Sequence, residues 1–519
     1  MKMNGAEALI QSLIANGVTT CFANPGTSEM HFVAATNAYP SLRNVLCLFE
    51  GVATGAADGY GRMSDAPAAT LLHLGFGLSN GLANLHNARR SGAPVLNIVG
   101  EHASWYQGAN SALSSDIQAI AAPMSDWVHV SQSAEKVASD AARAIAAAHA
   151  RGGQVATLIL PADTAWTDGA AVPSQRSVPL GTTGIDPDTI ERAARMLAGA
   201  GRSIIIAAGQ ALRAGPMDQL ARIAAKTGAK LATPYGVGRL ERGAGRVSMP
   251  RLPALIDPAR ALFEGIDTII LAGTNMPSAM FAYPGKPRQM QDDTAQVLGL
   301  CEDFGATAEA IECLADAVGA GRGEVIREAL REIEGPSGAL TADTMLVSVA
   351  AAMPENAIIV DESISAGRNF FPLSQGAVPH DYLQLTGGAL GCGIPVSLGA
   401  AIACPDRRVI NMEGDGSAMY TLQGLWSQAR ENADVTTVIV SNRRYGILDA
   451  ELKSVGVQGE VRGSARRLLS LDAPAIDWIG LAKGMGVEAK AVTTGEDLVA
   501  AITHANGRTG PFLIEAIIG

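Results

Sequence analysis

Two polar turns in the last third of the chain place metal-ligating side chains directly after apolar runs. Residues 409–412 lead into Gly414-Asp415-Gly416-Ser417, and the apolar run 435–440 ends on Ser441-Asn442. If both runs are strands of one parallel sheet, both turns open on the edge formed by the carboxyl ends of the strands. Carboxylate and amide oxygens are ligands that Mg²⁺ accepts, and the exposed backbone N–H groups of such turns suit a diphosphate. This pattern predicts a site for a diphosphate held through Mg²⁺.

A second set of candidates follows apolar runs in the first part of the chain. Asn24, Glu50, His73 and Glu101 each come directly after such a run, so one parallel sheet would bring all four to the same edge. Glu50 stands between two apolar stretches, and a carboxyl group in a dry pocket suits proton exchange near neutral pH. From local sequence alone, the alternative is a glutamate that the dipole of a following helix stabilises and that has no other role.

Strand and helix patterns alternate along most of the chain, which is typical of parallel sheets covered by helices on both faces. The composition changes to Pro, Ser, Thr and Gly between residues 167 and 186, and residues 335–338 (Gly-Pro-Ser-Gly) interrupt the pattern again. These breaks, in a chain of 519 residues, predict three doubly wound α/β domains at 1–166, 185–334 and 339–519. We expect the second domain to close with a helix over 324–333.

Charge and cysteine content limit the class of protein. The net charge is −11, from 39 basic and 50 acidic residues, and the basic residues are scattered. This argues against nucleic acid and against an anionic membrane as partners. Six cysteines show no metal-ligand spacing, which indicates reduced thiols. The first residues predict an amphipathic helix closed by Gly17 and no signal peptide, and no apolar run reaches membrane-spanning length. We therefore expect a cytoplasmic protein.

The Gly414-Asp415-Gly416 turn, followed by Asn442, resembles the signature of the thiamine-diphosphate-dependent superfamily of acetolactate synthases and benzoylformate decarboxylases. Ser441 stands where the signature has the first of two asparagines, and Asn442 stands at the second, which is the metal ligand. The segment 49–60, Phe-Glu-Gly-Val-Ala-Thr-Gly-Ala-Ala-Asp-Gly-Tyr, is similar to a second pattern of the superfamily. The resemblance implies that Glu50 binds N1′ of the aminopyrimidine and promotes loss of the C2 proton of the thiazolium.

Three more segments carry this resemblance. Residues 24–27 are similar to the Asn-Pro-Gly-Ser turn of benzoylformate decarboxylases, which places Thr27 at the position of a substrate-binding Ser. Residues 72–75 place His73 at the position of a proton-transferring His. Residues 386–395 resemble the loop that bends the cofactor. The resemblance implies that the carbonyl of Gly388 accepts a hydrogen bond from the 4′-amino group. It also implies that Leu390 is the apolar residue beneath the bent cofactor. The implied Mg²⁺ ligands are Asp415, Asn442 and the carbonyl of Arg444. The implied cofactor-binding residues are Asn24, Pro25, Gly26, Gly388, Leu390, Gly414, Asp415, Gly416, Ser417, Asn442, Tyr445 and Gly446.

The resemblance also implies an activity and an assembly. The activity is that of a thiamine-diphosphate- and Mg²⁺-dependent enzyme that decarboxylates 2-oxo acids, joins the product to an acceptor aldehyde or ketone, or does both. The site would lie between the first domain of one chain and the third domain of another. We therefore expect a homodimer at least, and a homotetramer as the common assembly.

Some positions depart from the superfamily's patterns. Met280 stands at about the place of a second active-site His of benzoylformate decarboxylases, so two-histidine proton transfer is in doubt and Met280 becomes a candidate substrate contact. Gln107, Gln118 or neither residue stands for the active-site Gln of acetolactate synthases, and the sequence leaves all three alternatives open. The sequence does not support binding of FAD.

Two alternative functions remain open at this point. Residues 75–81 (Gly-Phe-Gly-Leu-Ser-Asn-Gly) look like a dinucleotide fingerprint, but the third glycine comes one residue late and no acidic residue follows a strand about 20 residues later. A nicotinamide-dependent oxidoreductase is therefore the weaker alternative. The other is a subunit that binds the cofactor without turnover, against which the intact Glu50 argues.

Overall fold

The computed structural model describes residues 3–171, 184–199, 201–321, 323–459 and 461–518. Residues 172–183 of the expected linker lie outside this part. The described chain forms three successive sheets covered by helices. The expected α/β fold class is confirmed.

The first sheet is parallel throughout and brings its strands' carboxyl ends to one edge. Its strands are β1 (Thr20–Asn24), β2 (Arg43–Leu46), β3 (Ala68–Leu72), β4 (Val95–Glu101), β5 (Trp127–Val130) and β6 (Val155–Pro161), in the order β2-β1-β3-β4-β6-β5. The helices of this domain are α1 (Gly5–Ala15), α2 (Met30–Ala35), α3 (Glu50–Ser64), α4 (Leu74–Ser91), α5 (Ile117–Ala121), α6 (Val137–His149) and α7 (Ala162–Trp166).

The middle domain has a smaller parallel sheet and contributes one further strand to the sheet of the third domain. Its strands are β7 (Ser203–Ala207), β8 (Lys230–Ala232), β9 (Leu240–Arg242), β10 (Thr268–Ala272) and β11 (Gln296–Gly299), and the sheet order is β11-β10-β7-β8. The remaining strand, β9, pairs antiparallel with the edge of the third sheet. The helices are α8 (Pro187–Gly199), α9 (Ala214–Thr227), α10 (Ile256–Phe263) and α11 (Thr307–Ala317).

The third sheet carries the diphosphate turns. Its own strands are β12 (Ala357–Glu362), β13 (His380–Gln384), β14 (Val409–Gly414), β15 (Val435–Ser441), β16 (Glu488–Val492) and β17 (Phe512–Ile517). The order is β16-β17-β15-β14-β12-β13-β9, parallel except at β9. The helices are α12 (Ala342–Ala352), α13 (Phe370–Leu373), α14 (Gly393–Ala403), α15 (Asp415–Ala418), α16 (Gly424–Arg430), α17 (Gly446–Ser454), α18 (Gly463–Arg467), α19 (Trp478–Gly484) and α20 (Gly495–Asn506).

The prediction of a helix over 324–333 is wrong. The described residues of this segment form no helix, because their backbone bonds go to neighbouring segments. The N–H of Glu328 donates to the carbonyl of Arg246 at 2.8 Å, and the N–H of Arg331 donates to the carbonyl of Gly376 at 2.8 Å. The segment therefore runs without helical structure between the middle and third domains and is hydrogen-bonded to both.

The first and third domains meet where α3 crosses α14 with almost no side chains between them. A Cβ atom at Gly59 would lie 2.1 Å from the carbonyl oxygen of Val396, and one at Gly399 would lie 1.9 Å from that of Ala56. Only glycine permits backbones to approach this closely. Because α3 begins at Glu50 and α14 begins at Gly393, this crossing sets the position of both candidate segments relative to each other.

In the described part of the chain, the helices lack the combination of length and apolar character needed to cross a bilayer.

Candidate active site

The predicted diphosphate turns line one pocket at the carboxyl edge of the third sheet. Nine of the predicted cofactor and metal residues are among its lining residues: Leu390, Gly414, Asp415, Gly416, Ser417, Asn442, Arg444, Tyr445 and Gly446. Residues 363–365, at the end of β12, complete the wall. Three neighbouring strands (β12, β14 and β15) therefore supply the pocket, as expected for a ligand site at the end of a parallel sheet.

The side chains of Asp415 and Asn442 both accept hydrogen bonds from the backbone of the second turn. Oδ2 of Asp415 accepts a hydrogen bond from the N–H of Arg443 at 2.6 Å, and Oδ1 of Asn442 accepts one from the N–H of Arg444 at 3.0 Å. Arg443 has a φ of 56°, a left-handed conformation that turns the chain sharply. Burial raises the pKa of Asp415, and the N–H of Arg443 acts in the opposite direction. A bound cation would likewise favour the carboxylate.

The donor groups of the pocket and a glycine in its lining are compatible with a diphosphate bound with Mg²⁺. Gly416 leaves no room for a side chain, since a Cβ there would lie 2.4 Å from the ring of Tyr445. The donor set consists of one carboxylate, one amide oxygen and backbone groups, which is the hard oxygen set that Mg²⁺ takes when phosphates complete its coordination. The residues present therefore fit the expected group.

Glu50 begins α3 and is buried, with 8% of its surface exposed. Its Oε2 atom accepts a hydrogen bond from Nδ2 of Asn80 at 3.0 Å. Gly77 faces the carboxylate closely, because a Cβ there would lie 3.3 Å from Oε1. The turn of α4 that carries residues 77–80 thus packs against the carboxyl group and orients it.

His73 lies at the end of β3 and contacts two residues of the 24–29 turn. Its Nδ1 atom is 2.9 Å from Oε2 of Glu29 and 3.1 Å from Oγ of Ser28. Gly26 packs directly on the imidazole, since a Cβ at that position would lie 2.3 Å from the ring. The predicted turn and the predicted histidine therefore form one cluster.

The loop expected to bend the cofactor is attached to α4. Nδ2 of Asn87 donates to the carbonyl of Ala389 at 2.8 Å, and Nδ2 of Asn84 donates to the carbonyl of Gly391 at 3.2 Å. Nε2 of His86 lies 3.1 Å from the carbonyl oxygen of Gly387. His86 thus has a structural contact with this loop. Gly388 has a φ of 78°, which glycine adopts without strain.

The predicted site residues form two groups and not one. Glu50, His73 and the turn 24–27 lie at the edge of the first sheet, while the pocket residues lie at the edge of the third. No residue of the first domain is among the described residues lining the pocket. Met280 lies on a middle-domain loop, is 56% exposed, and is not part of this lining either.

Sequence reasoning missed several residues of these clusters. Ser28 and Glu29 contact His73, Asn80 contacts Glu50, and Glu362 and Glu413 are buried beneath the pocket walls. One signal for Glu29 was its spacing from Gly26, because a glutamate three residues after a turn commonly caps the turn's N–H. The signal for Glu413 was a charged residue at the end of an apolar run.

Comparisons of the sequence with known families and proteins agree on one group. The profile described as thiamine pyrophosphate enzyme, N-terminal TPP binding domain, matches residues 3–125, and the C-terminal TPP binding domain matches residues 369–516. The chain is 46% identical over 520 residues, covering 99% of both proteins, to the "Putative acetolactate synthase large subunit IlvX" of Mycobacterium tuberculosis (strain ATCC 25618 / H37Rv). It is 30% identical over 545 residues to a benzoylformate decarboxylase of Pseudomonas aeruginosa, covering 98% of both.

Solved structures give the same result for the fold. A thiamine diphosphate-dependent 4-hydroxybenzoylformate decarboxylase from Rhodococcus jostii RHA1 superposes with a TM-score of 0.86 at 26% identity, covering 100% of this chain and 99% of that one. A benzoylformate decarboxylase from Polynucleobacter necessarius superposes with a TM-score of 0.85 at 22% identity, over 100% and 99% of the two chains.

Proposed function

The chain belongs to the thiamine pyrophosphate (thiamine diphosphate) enzymes, and from this premise we propose that it is a Mg²⁺-dependent enzyme that decarboxylates a 2-oxo acid. The observation that carries this proposal is the retention of both halves of the site. Glu50 is buried and oriented by Asn80 at the edge of the first sheet, and Asp415 and Asn442 line one pocket at the edge of the third. A subunit that only bound the cofactor would not need the buried Glu50.

The bound cofactor would supply the carbanion that attacks the ketone carbonyl and the electron sink for loss of CO2. The chain's own residues perform the remaining tasks. Asp415, Asn442 and the carbonyl of Arg444 would hold Mg²⁺ and, through it, the diphosphate. The carboxyl of Glu50 would exchange a proton with N1′ of the aminopyrimidine, and the carbonyl of Gly388 would accept a hydrogen bond from the 4′-amino group. His73 would transfer a proton to or from the substrate-derived group.

The same proposal includes a dimer in which each site uses two chains. Its support is the separation of the two groups of residues within one chain and the apolar surface beside each group. Large apolar side chains are exposed near the first group at Leu48, Phe76, Trp105 and Tyr106, and near the pocket at Met419, Tyr420 and Leu448. Exposed apolar patches of this kind mark interaction surfaces. A homodimer is the minimum unit, and a homotetramer is two such units.

The relatives support a substrate class. They include enzymes named for decarboxylation of benzoylformate and its 4-hydroxy derivative, so benzoylformate is the first substrate to test. A second outcome, carboligation, is favoured by one observation. Met280 stands at about the place of a second proton-transferring His, and an apolar side chain there cannot supply a proton. The acyl group left after loss of CO2 would then pass to an acceptor aldehyde or ketone, which is the class of reaction that the name acetolactate synthase describes.

A substrate panel tests this proposal. The purified protein, supplied with thiamine diphosphate and Mg²⁺, is given benzoylformate, pyruvate and other 2-oxo acids, each with and without an acceptor aldehyde, while CO2 and acyloin are measured separately. We expect CO2 from at least one acid and, with the Glu50→Gln variant, a rate lower by about 100-fold or more. A protein that binds thiamine diphosphate but yields neither product from any of these acids would be a non-catalytic subunit.

A further inference from the structure

Two glutamate side chains are buried side by side beneath the pocket. Glu362 is the last residue of β12, and Glu413 precedes the last residue of β14; the two are opposite each other in the register of these parallel strands. Their exposed fractions are 1% and 0%. Buried carboxyl groups are costly unless their oxygens are hydrogen-bonded. Neither residue lines the pocket, and the site described above assigns them no role.

Glu362 holds the wall of the pocket formed by the cofactor-bending loop. Its Oε1 atom accepts a hydrogen bond from the N–H of Gly391 at 2.7 Å, and its Oε2 atom accepts one from the N–H of Gly393 at 2.5 Å. Leu390, the residue before this pair, lines the pocket. Both oxygens of one carboxylate are therefore used to fix the turn that presents Leu390.

Glu413 is hydrogen-bonded to the wall of the pocket formed by the diphosphate turn. Its Oε1 atom accepts a hydrogen bond from Oγ of Ser417 at 2.7 Å, and its Oε2 atom accepts one from Nδ2 of Asn411 at 3.2 Å. Ser417 lines the pocket beside Asp415. A Cβ at Gly393 would lie 1.9 Å from Oε2 of Glu413, so this carboxyl group also packs directly against the first residue of α14.

Both carboxyl groups reach the first residue of α14. Oε2 of Glu362 accepts the N–H of Gly393, and Oε2 of Glu413 lies where a Cβ of Gly393 would have to be placed. In the described part of the chain, no ion pair with Lys, Arg or His involves either glutamate. Glu362 is therefore the carboxyl group that bonds the loop, and Glu413 packs beside it.

We propose that Glu362 is a positioning residue for thiamine diphosphate: its two backbone hydrogen bonds fix the turn that presents Leu390, and so set cofactor affinity without touching the cofactor. Glu413 packs against the first residue of α14, but in the described part of the chain its own hydrogen bonds go to Asn411 and Ser417 and not to the loop. This inference rests on the cofactor binding that the proposed function also requires.

The test compares the same substitution, Glu to Gln, at two residues that lie opposite each other in neighbouring strands. Glu413→Gln keeps the shape of the side chain and an oxygen that can accept the hydroxyl of Ser417, and it leaves both loop bonds of Glu362 in place. Glu362→Gln instead turns an NH2 group towards a backbone N–H, so one of the two loop bonds is lost. In titrations of the cofactor at saturating Mg²⁺, followed by calorimetry, we expect Glu362→Gln to weaken binding by about tenfold or more. We expect Glu413→Gln to weaken it by no more than about threefold.

Thermal unfolding of the cofactor-free proteins separates positioning from simple loss of stability. A purely structural role would lower the midpoint of Glu362→Gln and leave its cofactor affinity at the parent value, and this result would overturn the proposal. Equal losses of affinity in both variants would overturn it as well. If Glu362→Gln does not fold, Glu362→Asp replaces it, because the shorter side chain reaches only one of the two N–H groups; unchanged affinity would then be the contrary result. A parent protein that fails to bind thiamine diphosphate would contradict the proposed function instead.

Discussion

Oε2 of Glu29 lies 2.9 Å from Nδ1 of His73 and 2.7 Å from the backbone nitrogen of Gly26. Because a carboxylate only accepts hydrogen bonds, this contact places the imidazole proton on Nδ1 and leaves Nε2 available to a substrate. The other oxygen of Glu29 is buried without a partner in the described part of the chain, and it packs on Gly100, where a Cβ would lie 1.7 Å away. Glu29 thus fixes both the tautomer and the orientation of His73.

Replacement of Glu29 by glutamine is expected to lower turnover without weakening cofactor binding. The amide can present either an oxygen or an NH2 group to His73 and Gly26, so the orientation of the imidazole is no longer unique. We expect kcat to fall by about tenfold or more, because the orienting carboxylate of a catalytic histidine has effects of at least this size. Steady-state kinetics with the best 2-oxo acid of the panel measure the change.

Ser28→Ala is the matched control, since it removes the 3.1 Å contact with the same nitrogen but leaves Glu29 in place. We expect a loss smaller than that of Glu29→Gln. A larger loss in Ser28→Ala would show that the hydroxyl, and not the carboxylate, orients His73.

Glu50→Gln is expected to abolish most of the activity while the cofactor still binds. In the proposed mechanism, the carboxyl group exchanges a proton that an amide cannot exchange, so we expect kcat to fall by about 100-fold or more. Glu101→Gln serves as the control, because Glu101 ends β4 at the same sheet edge and burial raises the pKa of its carboxyl group. Its Oε1 atom accepts the N–H of His102 at 2.7 Å. Similar losses in the two variants would contradict the specific role of Glu50.

Removal of Mg²⁺ is expected to release the cofactor. In the proposed site, Asp415 and Asn442 would supply only two side-chain oxygens, so the metal and the diphosphate would depend on each other for binding. Dialysis against a chelator should abolish activity, and Mg²⁺ with thiamine diphosphate should restore it. We expect Asp415→Asn to raise the cofactor concentration needed for half-maximal activity by about tenfold or more.

Asp406→Asn is the control for this change, because Asp406 is exposed and lies just before β14, at the opposite edge of the same sheet. It should bind the cofactor like the parent. An Asp415→Asn protein with the parent's requirement for Mg²⁺ and cofactor would contradict the assignment of Asp415 as a metal ligand.

The sequence was sufficient for the elements in which a run of apolar residues decides the structure. The apolar runs predicted at 409–412 and 435–440 begin at the first residues of β14 and β15, because these runs fill the interior of the third sheet. The prediction of a helix over 324–333 failed because the hydrogen-bond partners of that segment, Arg246 and Gly376, are distant from it in sequence.

The candidate site divides in the same way. Residues of the glycine-marked turns, such as Asp415 and Asn442, were predictable because the turns are local and their spacing is distinctive. The contact of Glu29 with His73 joins residues 44 positions apart, and the pairing of Glu362 with Glu413 depends on the register of two strands. Such contacts follow from tertiary structure, which local patterns do not encode.

Loss of the buried ion pair between Asp58 and Arg62 is expected to destabilise the contact between the first and third domains. Nε of Arg62 donates to Oδ1 of Asp58 at 2.7 Å, and Nη1 donates to the carbonyl of Gln384 at 2.7 Å. Both side chains are almost fully buried. Asp58→Asn leaves the guanidinium without its counter-charge, so we expect the free energy of unfolding to fall by about 3–5 kcal/mol. The exposed pair of Glu191 and Arg195 is the control, and Glu191→Gln should change it by less than about 1 kcal/mol.

Gly399→Ala is expected to separate α3 from α14 and to affect stability and cofactor binding together. The added Cβ would lie 1.9 Å from the carbonyl oxygen of Ala56 and 2.6 Å from the nitrogen of Tyr60, so one helix backbone must move. We expect the free energy of unfolding to fall by about 3 kcal/mol, as for other overpacked interiors.

Because α14 begins at Gly393, whose N–H is bound by Glu362, the shift should also weaken cofactor binding. Chemical denaturation and cofactor titration measure the two effects. Gly215→Ala is the control, since no atom lies within 4 Å of its Cβ position in α9, and it should change stability by less than about 1 kcal/mol. Equal denaturation midpoints for the two variants would contradict the close contact of α3 and α14.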